Sequence, residues 1–218
     1  MKRLIIFLLV LGMGIPLFAQ LQAQLPEFHF ASGSWQFIGD RLHQTDANAR
    51  LAKINLRIPQ SGQMIYEFNV RYEGGTLDGH GGFGIHIFAN NVLHRASWGS
   101  GSSYLLWLNY DENPISRDIH RGLSAQIYRS HSNSRMELVE SFNLNEYLEF
   151  ITDEDLAYPI PFKIWVDGNT GEVRVFDPSD PELREYFYFF LDRRSLPLRG
   201  DWISIRTNGI RLSFGLGL

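Results

Sequence analysis

The sequence predicts an all-β protein, either a sandwich or a barrel. Residues 63–72 alternate apolar and polar side chains, with Tyr66, Phe68 and Val70 on one face. A period of two is the mark of a strand with one buried face. Aromatic residues are 14% of the chain and glycine occurs 20 times, which favours strands and tight turns over helices. About a dozen short strands with turn signals at regular intervals complete the pattern.

The N-terminus has the form of a secretory signal peptide. Lys2 and Arg3 precede an apolar run over residues 4–18, and Ala19 offers a small residue for cleavage, with Ala23 as a second candidate. The alternative is an uncleaved anchor, but the run is short for a span and is interrupted by glycine and proline. We therefore expect export to the periplasm or the medium. The expected division is a signal peptide over 1–19 (cleavage as late as 23), an irregular lead-in over 20–30 and a single β-sandwich domain over 31–218.

Turn chemistry and alternation place the elements in order. Gly39 and Asp40 form a two-residue turn signal, which predicts a small hairpin of residues 34–38 and 41–44. A strand over residues 51–58 is expected to end at Pro59, because proline cannot donate to a sheet ladder. Further strands are predicted at 83–88, 104–110, 123–128, 135–139, 162–166, 172–176, 186–191, 202–206 and 211–215, with a short helix within 143–155 and a helical turn at 182–185 capped by Asp180.

Composition excludes several classes of function. The chain of 218 residues has no cysteine, which removes disulfides, thiolate zinc sites and cysteine nucleophiles. Its formal net charge is -4, and no basic stripe of the kind that binds nucleic acid is present. Beyond the N-terminal run, no stretch is long and apolar enough for a transmembrane helix, so we expect no span in the mature chain.

Four segments of the sequence resemble those of a known family. They are the Trp35 to Gln44 hairpin, Tyr-Glu-Phe-x-Val-Arg-Tyr-x-Gly-Gly at 66–75, Gly-Phe-Gly-Ile-His-Ile-Phe at 82–88 and Ile-x-Val-Asp-Gly-Asn-Thr-Gly-x-Val-x-Val at 164–175. In this order they resemble the concanavalin A-like lectin and glucanase superfamily, including laminin-G-like domains. The resemblance covers most of the mature chain. It implies a jelly-roll sandwich of two curved antiparallel sheets, often used to bind glycans on the concave face.

The resemblance does not extend to the catalytic motif of the glucanases. Those enzymes carry acidic residues at alternate strand positions, in the form Glu-x-Asp-x-x-Glu, and no such run is found here. Glu137 and Glu140 are predicted to point to opposite faces of their strand, whereas a retaining glycosidase needs two carboxyls about 5 Å apart. The sequence therefore favours an enzyme less than a binding protein. The enzymatic alternative is glycoside hydrolysis that depends on Glu67 or Glu137.

A polar face with large aromatic side chains is the candidate binding site. If the aliphatic faces of the strands form the core, the opposite faces combine flat apolar rings with polar groups, a mixture that suits sugars. The alternative is an ordinary solvated face, or a second core layer in which loops bury Trp107 and Trp165. The predicted ligand-binding residues are Arg71, His86, Trp107, Asn109, Tyr128 and Trp165.

Two places in the sequence suggest metal binding. Asp78, His80 and His86 lie near glycines, although spare polar residues in a turn explain them as well. The acidic residues 153–155 raise the possibility of calcium, which some relatives of the resembled superfamily bind, but their spacing matches no known calcium loop. We therefore predict no cofactor, with calcium as the alternative.

Three functions follow, in order of preference. The first is an exported, non-catalytic carbohydrate-binding or surface-recognition domain, whose partner is a glycan. The second is a structural or assembly protein of the cell envelope or of a periplasmic appendage, whose partner is an envelope protein. The third is a glycoside hydrolase.

Overall fold

The computed structural model describes residues 26–75, 81–149, 151–176, 182 and 185–215. Within them, fourteen strands and two short helices are found. In chain order they are β1 (Phe28–Ser32), β2 (Trp35–Ile38), β3 (Arg41–Gln44), β4 (Ala52–Ser61), β5 (Gln63–Gly75), β6 (Gly81–Ala89), β7 (Ser103–Asp111), β8 (Gly122–Ser130), β9 (Met136–Asn143), α1 (Asn145–Leu148), α2 (Asp153–Ala157), β10 (Ile160–Asp167), β11 (Glu172–Phe176), β12 (Glu185–Phe190), a 3₁₀ turn (Arg193–Ser195), β13 (Arg199–Asn208) and β14 (Ile210–Gly215).

The strands form two antiparallel sheets of seven. The first sheet has the order β1-β4-β13-β6-β7-β8-β9, and the second has the order β12-β11-β10-β5-β14-β3-β2. The two last long strands enter the middle of the sheets, because β13 lies between β4 and β6 and β14 lies between β5 and β3. This arrangement confirms the predicted all-β jelly-roll sandwich with short helical turns.

The core lies between the sheets and follows the predicted alternation. From β5, Tyr66 and Val70 point inward and are buried, while Phe68 packs partly buried against them. From the first sheet, Ile54 and Ile87 face them and are fully buried. The inward-facing side chains of the two sheets, and not the apolar face of a helix, therefore form the hydrophobic core.

The predicted hairpin at the start of the domain is confirmed. β2 and β3 pair directly, with Ile38 opposite Arg41. Gly39 has a φ of +61°, a conformation that glycine adopts without steric cost.

Pro59 does not end its strand as predicted. β4 continues to Ser61, and its register against β13 shifts so that Arg57 faces Trp202 and Gln60 faces Gly200. Pro59 lies in this bulge. A bulge tolerates proline because the missing N–H leaves no ladder position unpaired.

The prediction that Glu137 and Glu140 point to opposite faces is wrong. β9 contains a bulge, because Glu137 pairs with Arg129 and Glu140 pairs with Ile127 across a register shift. Arg129 and Ile127 are two positions apart on β8, so they and their partners point to the same side of the sheet. One extra residue in a strand reverses the facing of everything beyond it.

Other boundaries also differ from the prediction. The last three residues of the predicted lead-in, 28–30, belong to β1. The helix expected within 143–155 is divided into α1 and α2. The predicted helical turn at 182–185 ends inside β12, which begins at Glu185, and Asp180 lies outside the described residues. The predicted signal peptide is also outside them. Among the helices of the described residues, none has the length and apolar character needed to cross a membrane.

Candidate functional site

Four of the six predicted ligand-binding residues share one surface. His86 on β6, Trp107 and Asn109 on β7 and Tyr128 on β8 all point away from the second sheet, on the outer face of the first sheet. Residues directly opposite in neighbouring strands point to the same side. The structure therefore brings these four side chains onto one face.

Arg71 and Trp165 lie on the outer face of the second sheet. Arg71 donates to Glu73 Oε1 through Nε at 2.8 Å and Nη2 at 2.6 Å. Trp165 stands between Ile65 and Arg174 in the strand register, and the Arg174 guanidinium carbon lies 5.7 Å from its ring centre. The whole core separates them from the other four, because packed sheets are about 10 Å apart. They cannot contact the same small ligand.

Two glycines make a trough on the outer face of the first sheet. A Cβ on Gly82 would lie 2.7 Å from Cζ2 of Trp107, and a Cβ on Gly84 would lie 2.1 Å from the carbonyl oxygen of Leu106. The indole of Trp107 therefore lies where a side chain at position 82 would stand, and the backbone of β7 approaches closely at Gly84. Its exposure is only 8%. Trp107 forms the floor of the site and does not stand free in solvent.

A buried arginine lies between two indoles above this floor. Arg206 on β13 faces Gly84, and its guanidinium carbon is 5.3 Å from the centre of the Trp107 ring and 4.9 Å from that of Trp98. Arg206 Nη1 also donates to the carbonyl oxygen of Trp98 at 3.0 Å. Trp98 remains 58% exposed. A cation between two aromatic faces holds both rings in place, and here it leaves Trp98 presented to solvent.

Trp98 belongs to the 90–102 loop, which connects β6 to β7 and covers part of the outer face. Lys53 on β4 anchors the loop from below. Its Nζ donates to the carbonyl oxygens of Ser97 and Gly99 at 2.6 and 2.9 Å, and to the hydroxyls of Ser97 and Ser100 at 3.0 and 3.4 Å. The hydroxyl of Ser130 donates a further hydrogen bond to the carbonyl oxygen of Gly101 at 2.8 Å. The loop is thus fixed to the sheet at several points.

The buried basic groups under the loop influence each other. Burial, and then the charge of Arg206, lowers the pKa of Lys53 to about 7. Burial lowers the pKa of Arg206 to about 10. The pKa of His86 is held well below its usual value by burial and by the charges of Lys53 and Arg206. Burial disfavours the charged form of a base, and a neighbouring positive charge acts in the same direction.

More polar side chains lie on the same face, beside Arg206 and the two indoles. Tyr128 donates its hydroxyl to Gln126 Oε1 at 2.6 Å, and Gln126 Nε2 donates to the hydroxyl of Ser124 at 2.8 Å. Asn109 lies one row further along β7, beside Gly82 and Ser124. Tyr128 is partly exposed, whereas Gln126 and Asn109 are nearly covered. The surface thus offers the phenol of Tyr128, with two nearly buried amides behind it.

His86 lies below this surface. It is fully buried, and its Nδ1 is 3.2 Å from the Ser103 hydroxyl. Its Nε2 has no hydrogen-bond partner among the described residues. Because no atom of the ring reaches solvent, His86 supports the site from within the sheet.

Sequence reasoning missed Lys53, Trp98 and Arg206. Trp98 carried a signal, because it is a lone tryptophan in the Gly- and Ser-rich stretch of residues 97–103. Such loops are where binding residues concentrate. Lys53 and Arg206 had no comparable signal, since each is a single basic residue in an otherwise ordinary strand.

The candidate acidic and metal residues are engaged elsewhere. Glu67 pairs with Lys163 at 2.6 Å on the second sheet, and Glu137 pairs with His131 at 2.8 Å on the first. In the segment predicted for calcium, the carboxylate of Asp155 accepts from the backbone N–H and hydroxyl of Thr152 at 2.8 and 2.7 Å, as the cap of α2. Within the described part of the chain, no three His, Asp or Glu side chains cluster as metal ligands would. Asp78 and His80 lie outside it.

Known proteins with this fold include carbohydrate-binding modules. The chain is similar to carbohydrate-binding module CBM66 from Bacillus subtilis, with a TM-score of 0.56 and 10% identity over 88% of this chain and 93% of that one. It is similar to the CBM2 module of the evolved Dit of Lactobacillus casei BL23 phage J-1, with a TM-score of 0.50 and 13% identity over 92% and 82%. Lectin I-B4 from Griffonia simplicifolia gives a TM-score of 0.45 and 14% identity over 86% and 91%.

No family model and no curated protein matches this sequence. At such low identities, similarity to solved structures demonstrates a common fold and nothing further. That fold is the concanavalin A-like jelly roll, as the sequence resemblance predicted.

Proposed function

We propose that this protein is an exported, non-catalytic carbohydrate-binding domain whose glycan binds on the outer face of the first sheet, beside the 90–102 loop. The observation that carries the proposal is the exposed indole of Trp98, held rigidly by Arg206. A flat, immobilised ring suits the apolar C–H face of a pyranose. The phenol of Tyr128, with the amides of Asn109 and Gln126 behind it, supplies partners for sugar hydroxyls.

Preorganisation supports the same reading. The buried ammonium of Lys53 and the hydroxyl of Ser130 hold the loop before any ligand arrives. Binding loses affinity when a loop must first be ordered, and a loop already fixed avoids that cost. A rigid Trp98 is therefore better suited to recognition than a tryptophan on a mobile loop.

Two further observations support the functional class and the compartment. The chain shares its fold with a carbohydrate-binding module. The first 19 residues carry the basic, apolar and small-residue pattern of a secretory signal peptide, which favours export to the periplasm or the medium.

A glycan-array screen of the purified exported protein, with and without calcium, tests this function. We expect a defined glycan class to bind in both conditions, because Asp155 already serves the α2 cap. Trp98→Ala should abolish that binding and leave the melting temperature nearly unchanged. Trp165→Ala, on the second sheet, is the matched control and should bind as the wild type does.

Two results would overturn the proposal. One is a blank array with folded protein. The other is a Trp98→Ala variant that binds the wild-type glycan with wild-type affinity. A glycan whose binding is lost in Trp165→Ala instead would move the site to the second sheet.

A second candidate function is assembly within the cell envelope through the outer face of the second sheet. We propose it because that face exposes Ile65, Tyr188 and Phe190, at 56%, 45% and 41%. Exposed apolar side chains in one region mark protein contacts more often than isolated ones do. Fractionation tests it: wild-type protein should sediment with insoluble envelope material, and Tyr188→Ser with Phe190→Ser should release it. A wild-type protein found entirely in the soluble fraction excludes this role.

A further inference from the structure

A cavity of about 500 Å³ lies between the two sheets. Inward side chains of the first sheet, such as Leu106, Leu108 and Ala125, form one wall. Phe162 and Phe187 belong to the opposite wall, from the second sheet. Its volume falls within the range of about 300–1,000 Å³ that small-molecule sites occupy.

The lining is almost entirely apolar. Phe162 stacks on Phe68 at 5.4 Å between ring centres and meets Phe83 edge to face at 5.5 Å, so aromatic rings cover much of the wall. Among the side chains that point into this space, polar atoms belong to Tyr147, Asp155 and Tyr158, in the segment at the cavity mouth. A dry engineered cavity of about 150 Å³ already takes up benzene, and this one is about three times as large.

Protein interiors rarely leave such a space. Elsewhere in this sandwich the packing is tight: a Cβ built on Gly33 would lie only 2.4 Å from the Cβ of Ala52. The cost of an empty apolar cavity grows with its volume, because the lining atoms lose their contact partners. An occupant that restores those contacts would bind favourably here.

The mouth of the cavity selects the kind of occupant. Leu144, Tyr147, Ile151, Asp155 and Tyr158 border it. The sequence segment to which they belong, residues 144–160, contains five acidic residues and no lysine or arginine. Apolar side chains in the same segment stay exposed, with Ile151 at 39% and Tyr158 at 63%, and α1 buries no residue. A loosely packed border permits entry. Its negative charge opposes an anionic head group and accepts a neutral or cationic one.

We propose that the cavity between the sheets is a binding site for a long-chain hydrocarbon with a neutral or cationic head group. Most of its lining side chains point inward from the sheets, whereas Gly84, Trp107 and Gln126, which also border it, belong to the outward-facing rows of the first sheet. The site therefore lies on the opposite side of the first sheet from Trp98. The protein would then recognise two chemically different ligands, one on its outer face and one in its interior.

Two dyes of similar ring structure test the proposal on the purified full chain. N-phenyl-1-naphthylamine is uncharged, whereas 1-anilinonaphthalene-8-sulfonate carries a sulfonate. We expect the neutral dye to bind saturably, with a blue shift of its fluorescence. The affinity for the anionic dye should be at least roughly tenfold lower, because the acidic border repels the sulfonate. A triple variant should reduce the difference in affinity between the two dyes. It combines Glu146→Gln, Glu149→Gln and Glu154→Gln. Failure of the neutral dye to saturate would overturn the proposal.

Filling the cavity provides the decisive variant. Ala125→Phe and the smaller Ala125→Leu place new side-chain atoms in the space, and we expect both to abolish neutral-dye binding while the melting temperature stays equal or rises. Ala52→Leu, at a packed position, is the matched control and should lower the melting temperature. Trp98→Ala should bind the dye as wild type does, which separates this site from the glycan surface.

The same variants can contradict the proposal in two ways. If Ala125→Leu destabilises the protein as much as Ala52→Leu does, the space is already filled in solution and no ligand site exists. If both Ala125 variants fold and still bind the neutral dye with wild-type affinity, the dye binds elsewhere.

Discussion

The ammonium group of Lys53 donates a 2.6 Å hydrogen bond to the carbonyl oxygen of Ser97, 44 positions further along the chain. Lys53 is almost completely buried, and its described hydrogen bonds go to uncharged carbonyl and hydroxyl oxygens. A lysine so placed couples the position of the 90–102 loop to its own protonation state.

The stability of the protein should rise between pH 6 and 9 because of Lys53. Its pKa is about 7 in the folded protein and near 10.5 in the unfolded chain. Between these values the unfolded chain binds more protons, so the free energy of unfolding increases with pH. The gain is complete above 10.5 and is lost as pH falls through 7. Its size is on the order of 3 kcal/mol between pH 6 and 9. Urea unfolding at several pH values measures it.

Lys53→Met is the control for this pH dependence. Methionine fills a similar volume and does not titrate, so the variant should show a flatter profile than wild type above pH 7. A wild-type slope that persists in Lys53→Met would show that another group causes it.

His86 should lower the stability of the folded protein further at acid pH, in the same direction as Lys53. Burial holds its folded pKa well below 6.5, so below pH 6.5 the unfolded chain takes up a proton that the folded protein refuses. The contribution to stability is fully present above pH 6.5 and declines by about 1.4 kcal/mol for each pH unit below it, until the folded pKa is reached. The difference between wild type and His86→Gln, measured from pH 4 to 7, isolates this group. Parallel profiles would contradict the prediction.

Trp107→Ala and Trp98→Ala should differ sharply in stability. Trp107 is 8% exposed and lies beneath Arg206, so its truncation should cost about 3–5 kcal/mol, as for other buried tryptophans. Trp98 is 58% exposed, and its truncation should cost much less. Thermal melts of both variants measure this. Equal losses would mean that Trp98 is also a core residue, and loss of glycan binding in Trp98→Ala would then carry no information about the site.

Gly84→Ala should destabilise the first sheet. The new Cβ would lie 2.1 Å from the carbonyl oxygen of Leu106 and 2.9 Å from Cα of Trp107, and both are backbone atoms that cannot rotate away. We expect a loss of at least about 2 kcal/mol, in the range of overpacked cores. Gly39→Asn is the comparison, because that hairpin position has open space and a φ that asparagine tolerates. A Gly84→Ala variant as stable as Gly39→Asn would exclude close strand contact at this position.

The burial of Trp107 shows what the sequence could not predict. Alternation correctly placed Trp107 on the face opposite the core, but a position on that face does not mean exposure. Gly82 on β6 leaves room for the ring and the guanidinium of Arg206 on β13 lies over it, and both come from other strands. Local patterns carry no information about neighbours across a sheet, so the degree of burial could not be predicted.

The sequence by itself determined most of the strands, the hairpin turns and the inward faces, apart from β1 and the bulged β9. These depend on a period of two and on residues such as Gly39 that suit a turn, and both act over a few neighbouring positions.

Only the tertiary structure decided which strands are neighbours. Arg206 meets Trp98 across 108 positions, because β13 enters the first sheet between β4 and β6. The same topology separates Arg71 and Trp165 from Trp107 and leaves a cavity between the sheets. Strand order results from the global packing of many faces, and no local pattern encodes it.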